Sequence, residues 1–214
     1  MRILTCIALA SLGLTAMPAF AGNIMPDLSL APTGWTVDRY APASFSSLGT
    51  VSGEDNVLGL GIGSSGDYDN RPSAYQYTFY NTQGESYSVS GGPGDDIAVL
   101  LYVPDSWSDP SNGDVRTDLW VDASGSDYGI LGFTNFGTNN RVGDAGGTFQ
   151  YWDDGTGLWT AVSAPVEYGQ WNTLDIHYTG SEYDYLVNGV FVGAVTDLTL
   201  DNAALTQVML EAYN

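Results

Sequence analysis

The chain has 214 residues and carries 25 acidic side chains against five basic ones, all arginine, with a single histidine and a formal charge of −20 at pH 7. A field of that sign repels nucleic acid and anionic membrane surfaces, which argues against both as partners and favours cations. The one cysteine, Cys6, lies in the leading segment, so the remainder can build neither a disulfide nor a thiolate metal site.

That leading segment reads as an export signal: Arg2 is the positive start, residues 3–14 are the apolar run, and Ala19-Phe20-Ala21 is a small-x-small cleavage site. The run is short for a bilayer of about 30 Å, so no membrane insertion is expected. Residues 1–21 are therefore expected to be a signal peptide, and residues 22–214 one secreted or periplasmic domain. No repeat or long linker divides it, and its length suffices for a single core.

Along the domain, glycine is frequent, charges cluster in turn-like segments, and apolar residues rarely fall at helical spacing. An all-β fold follows. Residues 35–45 open it, with Pro42 suggesting an edge. In residues 57–63, Leu58, Leu60 and Ile62 share one face, and three alternating glycines leave the other bare for an aromatic or a backbone. Residues 75–80 alternate and lead into a turn expected at 81–84. Residues 97–103 are apolar on both faces, the mark of a central strand. Trp107 follows in a loop, where an aromatic ring usually makes outside contacts. In residues 116–122, Leu119 and Val121 face one way, and Arg116, Asp118, Trp120 and Asp122 face the other. Residues 149–152 and 158–162 flank Asp-Asp-Gly-Thr-Gly as a hairpin, with Trp152 packed on Trp159. Residues 208–212 close the chain as a strand, after a short helical turn expected near 200–206.

Residues 169–193 are the most specific stretch. Leu174, Ile176 and Tyr178 alternate with polar residues, Gly180 turns the chain, and Tyr183, Tyr185 and Val187 share one face of the next strand. Asn188-Gly189 then supplies a tight hairpin. A tryptophan, an alternating strand, a glycine turn, a second strand and V-N-G-x-x-V-G resemble the penultimate hairpins of the concanavalin A-like lectin/glucanase superfamily, particularly its laminin-G-like branch. The resemblance implies a two-sheet antiparallel jelly-roll β-sandwich, in agreement with the strand spacing.

Nucleophilic catalysis finds little support. His177 sits on a strand beside Asp175 on the same face, the placement of an exposed strand histidine rather than of a base held against a nucleophile. Superfamily glucanases are expected to carry E-x-D-x-E or E-x-D-x-x-E on one strand, with two carboxylates about 5 Å apart. Here Glu182 and Asp184 supply only the first half, because Leu186 and Val187 occupy the remaining positions. Glu54, Glu85, Glu167 and Glu211 are scattered.

Sugar recognition needs an aromatic plane and planar polar groups. Arg116, Asp118, Trp120 and Asp122 provide both, with loop help from Trp107; packing of Trp120 on a neighbouring strand with Arg116 paired to Asp118 is the equal alternative. Calcium calls for oxygen-rich loops. Asp153 and Asp154 are the candidate ligands, followed by Asp67-Tyr68-Asp69-Asn70 and Gly94-Asp95-Asp96, and the resemblance implies a calcium at a sandwich rim. The expected function is a non-catalytic, lectin-like module for an extracellular glycan or polysaccharide. Alternatives are a glycoside hydrolase or lyase with an atypical carboxylate pair, and a structural matrix or surface protein.

Overall fold

A computed structural model describes residues 33–63, 71–76, 82–123, 127–136, 147–196 and 202–213. The strands are β1 (Trp35–Asp38), β2 (Ser44–Val51), β3 (Glu54–Gly61), β4 (Thr82–Gly91), β5 (Asp95–Val103), β6 (Arg116–Ala123), β7 (Asp127–Thr134), β8 (Thr148–Asp153), β9 (Leu158–Ala161), β10 (Gln170–Tyr178), β11 (Glu182–Val187), β12 (Val190–Thr196) and β13 (Leu205–Tyr213). They form a seven-stranded sheet in the order β1-β4-β13-β6-β7-β8-β9, a four-stranded sheet in the order β12-β11-β10-β5, and the hairpin β2-β3. All pairings are antiparallel. The chain is the all-β, two-sheet jelly-roll sandwich expected of it. Among the described residues no helix is long and apolar enough to cross a membrane.

The core lies between the sheets. Leu119 and Val121 of β6, Phe133 of β7, Phe149 of β8 and Leu210 of β13 meet Leu174, Ile176 and Tyr178 of β10 and Tyr183, Tyr185 and Val187 of β11. These are the alternating positions read from the sequence, and burying each large side chain contributes about 1.5–3 kcal/mol. Two of these tyrosine hydroxyls reach backbone: Tyr178 donates to Ala203 O at 2.9 Å and Tyr183 to Asp127 O at 3.0 Å. Asn188 and Gly189 adopt φ of 50° and 74°, the left-handed pair that a two-residue hairpin needs.

Several expectations are corrected. β5 is an edge strand, not a central one. Its outer face is apolar because Tyr102 lies against Trp171 of the neighbouring strand, ring centres 5.3 Å apart. Residues 82–84 begin β4 rather than forming a turn, and Tyr75 sits in a short 3-10 turn; residues 77–81 lie outside the described set. The bare glycine face of β3 is filled from β2 by side chains, Leu48 over Gly59 and Ser44 over Gly61, not by an aromatic or a backbone. Leu205 and Thr206 are strand, and the rest of the helical turn expected near 200–206 falls partly outside the described residues. Trp107 is not exposed: its 3-10 turn folds it into the core, stacked on Phe133 at 5.7 Å.

Candidate functional site

Alternation in β6 sends Leu119 and Val121 into the core and Arg116, Asp118, Trp120 and Asp122 to the outer face of the seven-stranded sheet. There they are covered rather than bare, since all four are buried. Trp120 packs on Ile130 and Met209, the residues opposite it on β7 and β13, and its ring meets Tyr128 at 5.6 Å. Arg116 Nε donates to Asp118 Oδ2 at 3.1 Å. The packing alternative for this strand is thus realised in its contacts.

Register places a polar row across this face: Asp38, Gly84, Glu211, Asp118, Gly132 and Gln150 stand opposite one another in turn on β1, β4, β13, β6, β7 and β8. The two glycines make the row feasible. A Cβ at Gly132 would stand 2.2 Å from Asp118 Oδ1, and one at Gly84 would stand 2.7 Å from Glu211 Cδ, so each acid lies over a neighbour that has no side chain.

Two guanidinium groups reach the row. Arg39 Nε donates to Asp38 Oδ2 at 2.6 Å and its Nη1 to Thr82 Oγ1 at 3.0 Å, while Nη2 stands 3.7 Å from Glu211 Oε1, too far for a hydrogen bond. Arg39 also lies 5.0 Å from the centre of the Trp120 ring. Arg116 sits between Trp159 and Tyr213, at 5.1 and 5.2 Å from their ring centres. The rim is aromatic: Tyr128, Trp152 and Trp159 are half-buried, and Trp152 and Trp159 face each other across the β8–β9 hairpin with centroids 5.5 Å apart, as read from the sequence.

Burial sets the electrostatics of the floor. Asp118 and Glu211 are 2% and 0% exposed. Burial pushes the Asp118 carboxyl up to about 6 against the pull of Arg116. Burial likewise holds Glu211 well above the carboxylate range, with Arg39 opposing and the Asp38 charge reinforcing it. Asp118 Oδ1, both Glu211 carboxyl oxygens, Gln150 Oε1 and Trp120 Nε1 are buried with no hydrogen-bond partner.

On the same face, Asp122 Oδ2 accepts from Thr206 Oγ1 at 3.2 Å. The remaining sequence candidates go elsewhere. Asp153 Oδ1 accepts from the Gly155 and Thr156 amides at 2.9 and 3.3 Å, and Asp154 accepts from Trp152 Nε1, so both acids serve their own turn. Asp95 Oδ2 accepts from Gly92 N at 2.7 Å, and Asp96 Oδ1 meets His177 Nδ1 at 2.6 Å. Asp67 and Asp69 lie outside the described residues. Among the described residues no group of three or more His, Cys, Asp or Glu side chains is set to hold a metal. Glu182 and Asp184 alternate with the core tyrosines of β11 and therefore lie on the outer face of the other sheet.

Arg39, Gln150 and Glu211 were not read as site residues. The signal for Glu211 was its place between Leu210 and Ala212, which alternation sends to the core. What the sequence lacked was the strand beside it.

Fold and site together define an all-β sandwich with an aromatic-rimmed, acid-floored outer sheet face. No family model matches the sequence, and no curated protein matches it. Similar solved structures include the carbohydrate-binding module CBM66 from Bacillus subtilis, at a TM-score of 0.42 and 11% identity over 86% of this chain and 92% of that one. Crh5 transglycosylase in complex with NAG gives 0.45 and 14% over 90% and 73%. The Caenorhabditis elegans galectin LEC-6 gives 0.37 and 15% over 64% and 97%.

Proposed function

We propose that the chain is an exported, non-catalytic, lectin-like module that holds a glycan across the outer face of its seven-stranded sheet. The observation that carries this reading is the coincidence, on one face, of half-buried aromatic rings with buried polar atoms that have no partner in the protein. A buried polar atom left unbonded costs about 1–3 kcal/mol, and a fold retains several together where something else satisfies them. Stacking rings beside planar hydrogen-bonding groups suit a sugar. Arg116, Asp118, Trp120 and Asp122 stay in the proposed set, joined by Glu211, Gln150 and Trp159. Trp107 leaves it, because it is core. Kinship with the laminin-G-like branch, a periplasmic or extracellular location and assistance by calcium belong to the same proposal.

The test is retardation in affinity gels loaded with a panel of polysaccharides, with and without chelator. Retention is expected on at least one, weakened roughly tenfold by Trp159→Ala, the scale of losing one stacking contact. Passage through every gel unretarded removes the proposal; insensitivity to chelator removes only calcium.

A second reading rests on one observation: Glu211 and Asp118 stand opposite each other on adjacent strands, a placement that sets Cβ atoms about 4.5–5.5 Å apart. A carboxyl kept protonated beside one that ionises more readily is the division of labour a glycoside hydrolase uses. Release of reducing ends from any retained polysaccharide, abolished by Asp118→Asn and by Glu211→Gln, would put this reading first.

A further inference from the structure

The outer face of the four-stranded sheet is sorted into two halves. Alternation sends Leu101, Ile176 and Tyr185 into the core, and register arranges the outward residues between them in rows. Asp96, His177, Asp184 and Ala194 stand opposite one another in turn. The next row is Ala98, Asp175, Leu186 and Phe191, and beyond it lie Leu100 and the Tyr102 and Trp171 pair. One half is acidic and the other apolar. Water reaches these groups, unlike the floor of the larger sheet: Phe191 is 60% exposed, and the His177 and Asp96 side chains are 33% and 25% exposed.

The acidic half is short of cations. Its four strands contain no lysine or arginine, and His177, whose Nδ1 meets Asp96 Oδ1 at 2.6 Å, is their single basic side chain. Burial, and then the nearby Asp96 charge, push the Asp175 carboxyl up to about 6 against the pull of His177. A cation brought to this face would relieve that crowding, and the overall charge of −20 draws cations in.

An apolar band beside an acidic one matches a polypeptide that presents apolar and basic side chains together. A glycan fits less well, because leucines offer no plane and the Tyr102 and Trp171 rings lean on each other at 55°. Size favours a segment over a globular surface. From Trp171 to His177 the face runs about 20 Å, and three inter-strand intervals make it about 14 Å wide. That is roughly 280 Å², against the ~800 Å² that a standard interface takes from each protein. An extended chain repeats its side chains on one side about every 7 Å, the spacing of Glu182, Asp184 and Leu186 along β11. Beside the two acids, on β12, stand Thr196 and Ala194, short enough for a long basic side chain to pass over.

We propose that this face docks an extended, basic segment of another protein, with an apolar side chain on Leu186 and Phe191 and cationic side chains on Asp184 and Glu182. The glycan reading concerns the other sheet, and neither depends on the other. The experiment is fluorescence anisotropy of the full chain with labelled decapeptides in which two lysines and one leucine are set among serines in every alternating order, at about 0.15 M NaCl. Matched peptides carry glutamine for lysine or serine for leucine. At least one parent peptide is expected to bind at least tenfold more tightly than both of its matched versions, and about threefold or more weakly to Phe191→Ala and to Asp184→Asn. Asp114→Asn, an equal change of charge at an exposed position before β6, should leave binding as it was. The matched peptides test the same contacts without altering the protein, so a misfolded variant leaves that comparison intact. Equal binding of parent and serine-for-leucine peptides, or equal weakening by Asp114→Asn and Asp184→Asn, would reduce the effect to diffuse charge attraction and overturn the proposal. So would binding of no peptide, or a loss of polysaccharide retention in Phe191→Ala, which would give this face to a glycan instead.

Discussion

Two residues with no side chain shape the candidate face. At Gly132 an added Cβ would meet not only Asp118 Oδ1 but also the Thr117 carbonyl at 2.4 Å; at Gly84 it would fall 1.9 Å from the Leu210 carbonyl. Backbone cannot step aside as a flexible side chain can, so Gly132→Ala is expected to lower stability by about 1–3 kcal/mol and to displace the Asp118 carboxyl. Denaturant titration checks the first effect. The second is seen as weaker retention on whatever polysaccharide the unaltered protein binds. A variant with unchanged midpoint and retention would show that Asp118 does not depend on that gap. At this scale the sequence revealed facing but not company. Alternation placed Arg116, Asp118, Trp120 and Asp122 together, yet nothing local told that Glu211 would stand beside Asp118, because that contact is made by pairing strands far apart in the chain. Trp107 was misread for a similar reason. A loop position suggests exposure, whereas Phe133 offers the ring a stacking partner inside the core.

Elements were legible where one face is buried and a turn sets the register. β10 and β11 satisfy both conditions, and their join to β12 is held by Asn188. Its side-chain oxygen accepts from Thr173 N at 2.8 Å, its amide nitrogen donates to Asn172 Oδ1 at 3.2 Å, and its φ of 50° suits Asn better than most residues. Asn188→Ala removes both bonds and leaves an alanine in a strained conformation, at an expected cost of about 1–2 kcal/mol. Gly189→Ala, at φ 74°, is expected to cost about 1 kcal/mol. Thermal denaturation followed by circular dichroism measures both; if neither shifts the midpoint, this turn does not set the register of the small sheet. β5 was misread because an apolar outer face has two causes that sequence does not separate, a second layer of protein or a local pair of rings, and here it is Tyr102 on Trp171. The start of β4 was misread because Thr, Gln and Gly suit a turn. They also suit a strand whose glycine must pass beneath Glu211.

The whole molecule couples its charge to its fold through buried acids. Asp118 is raised by burial to about 6, and Asp175 to about 6 by burial and then by the Asp96 charge, with His177 opposing; both start from 3.8. Glu211 is raised well above its starting 4.5. A carboxyl whose folded pKa exceeds its unfolded one binds its proton more firmly in the folded state. Its contribution to stability is therefore complete below the unfolded value, near 3.8 for the aspartates, and is lost as pH rises through about 6. For fully buried Asp118 the difference is on the order of 3 kcal/mol. Relief of the repulsion within a chain of formal charge −20 acts in the same direction. Asp109, held low by its bonds to Ser111, has the opposite sign but is fully exposed and weighs little. The melting temperature is thus expected to rise as pH is lowered from about 7.5 to about 4.5, with added salt raising it more at the upper end, where self-repulsion is greatest. Asp175→Asn, which lies on the sheet opposite the candidate face, should flatten part of that slope without altering glycan retention. A melting temperature that instead falls steadily over this range would mean that acids stabilised by ionising outweigh those the fold raises, and the acid-floored face would then have to be open to water in solution.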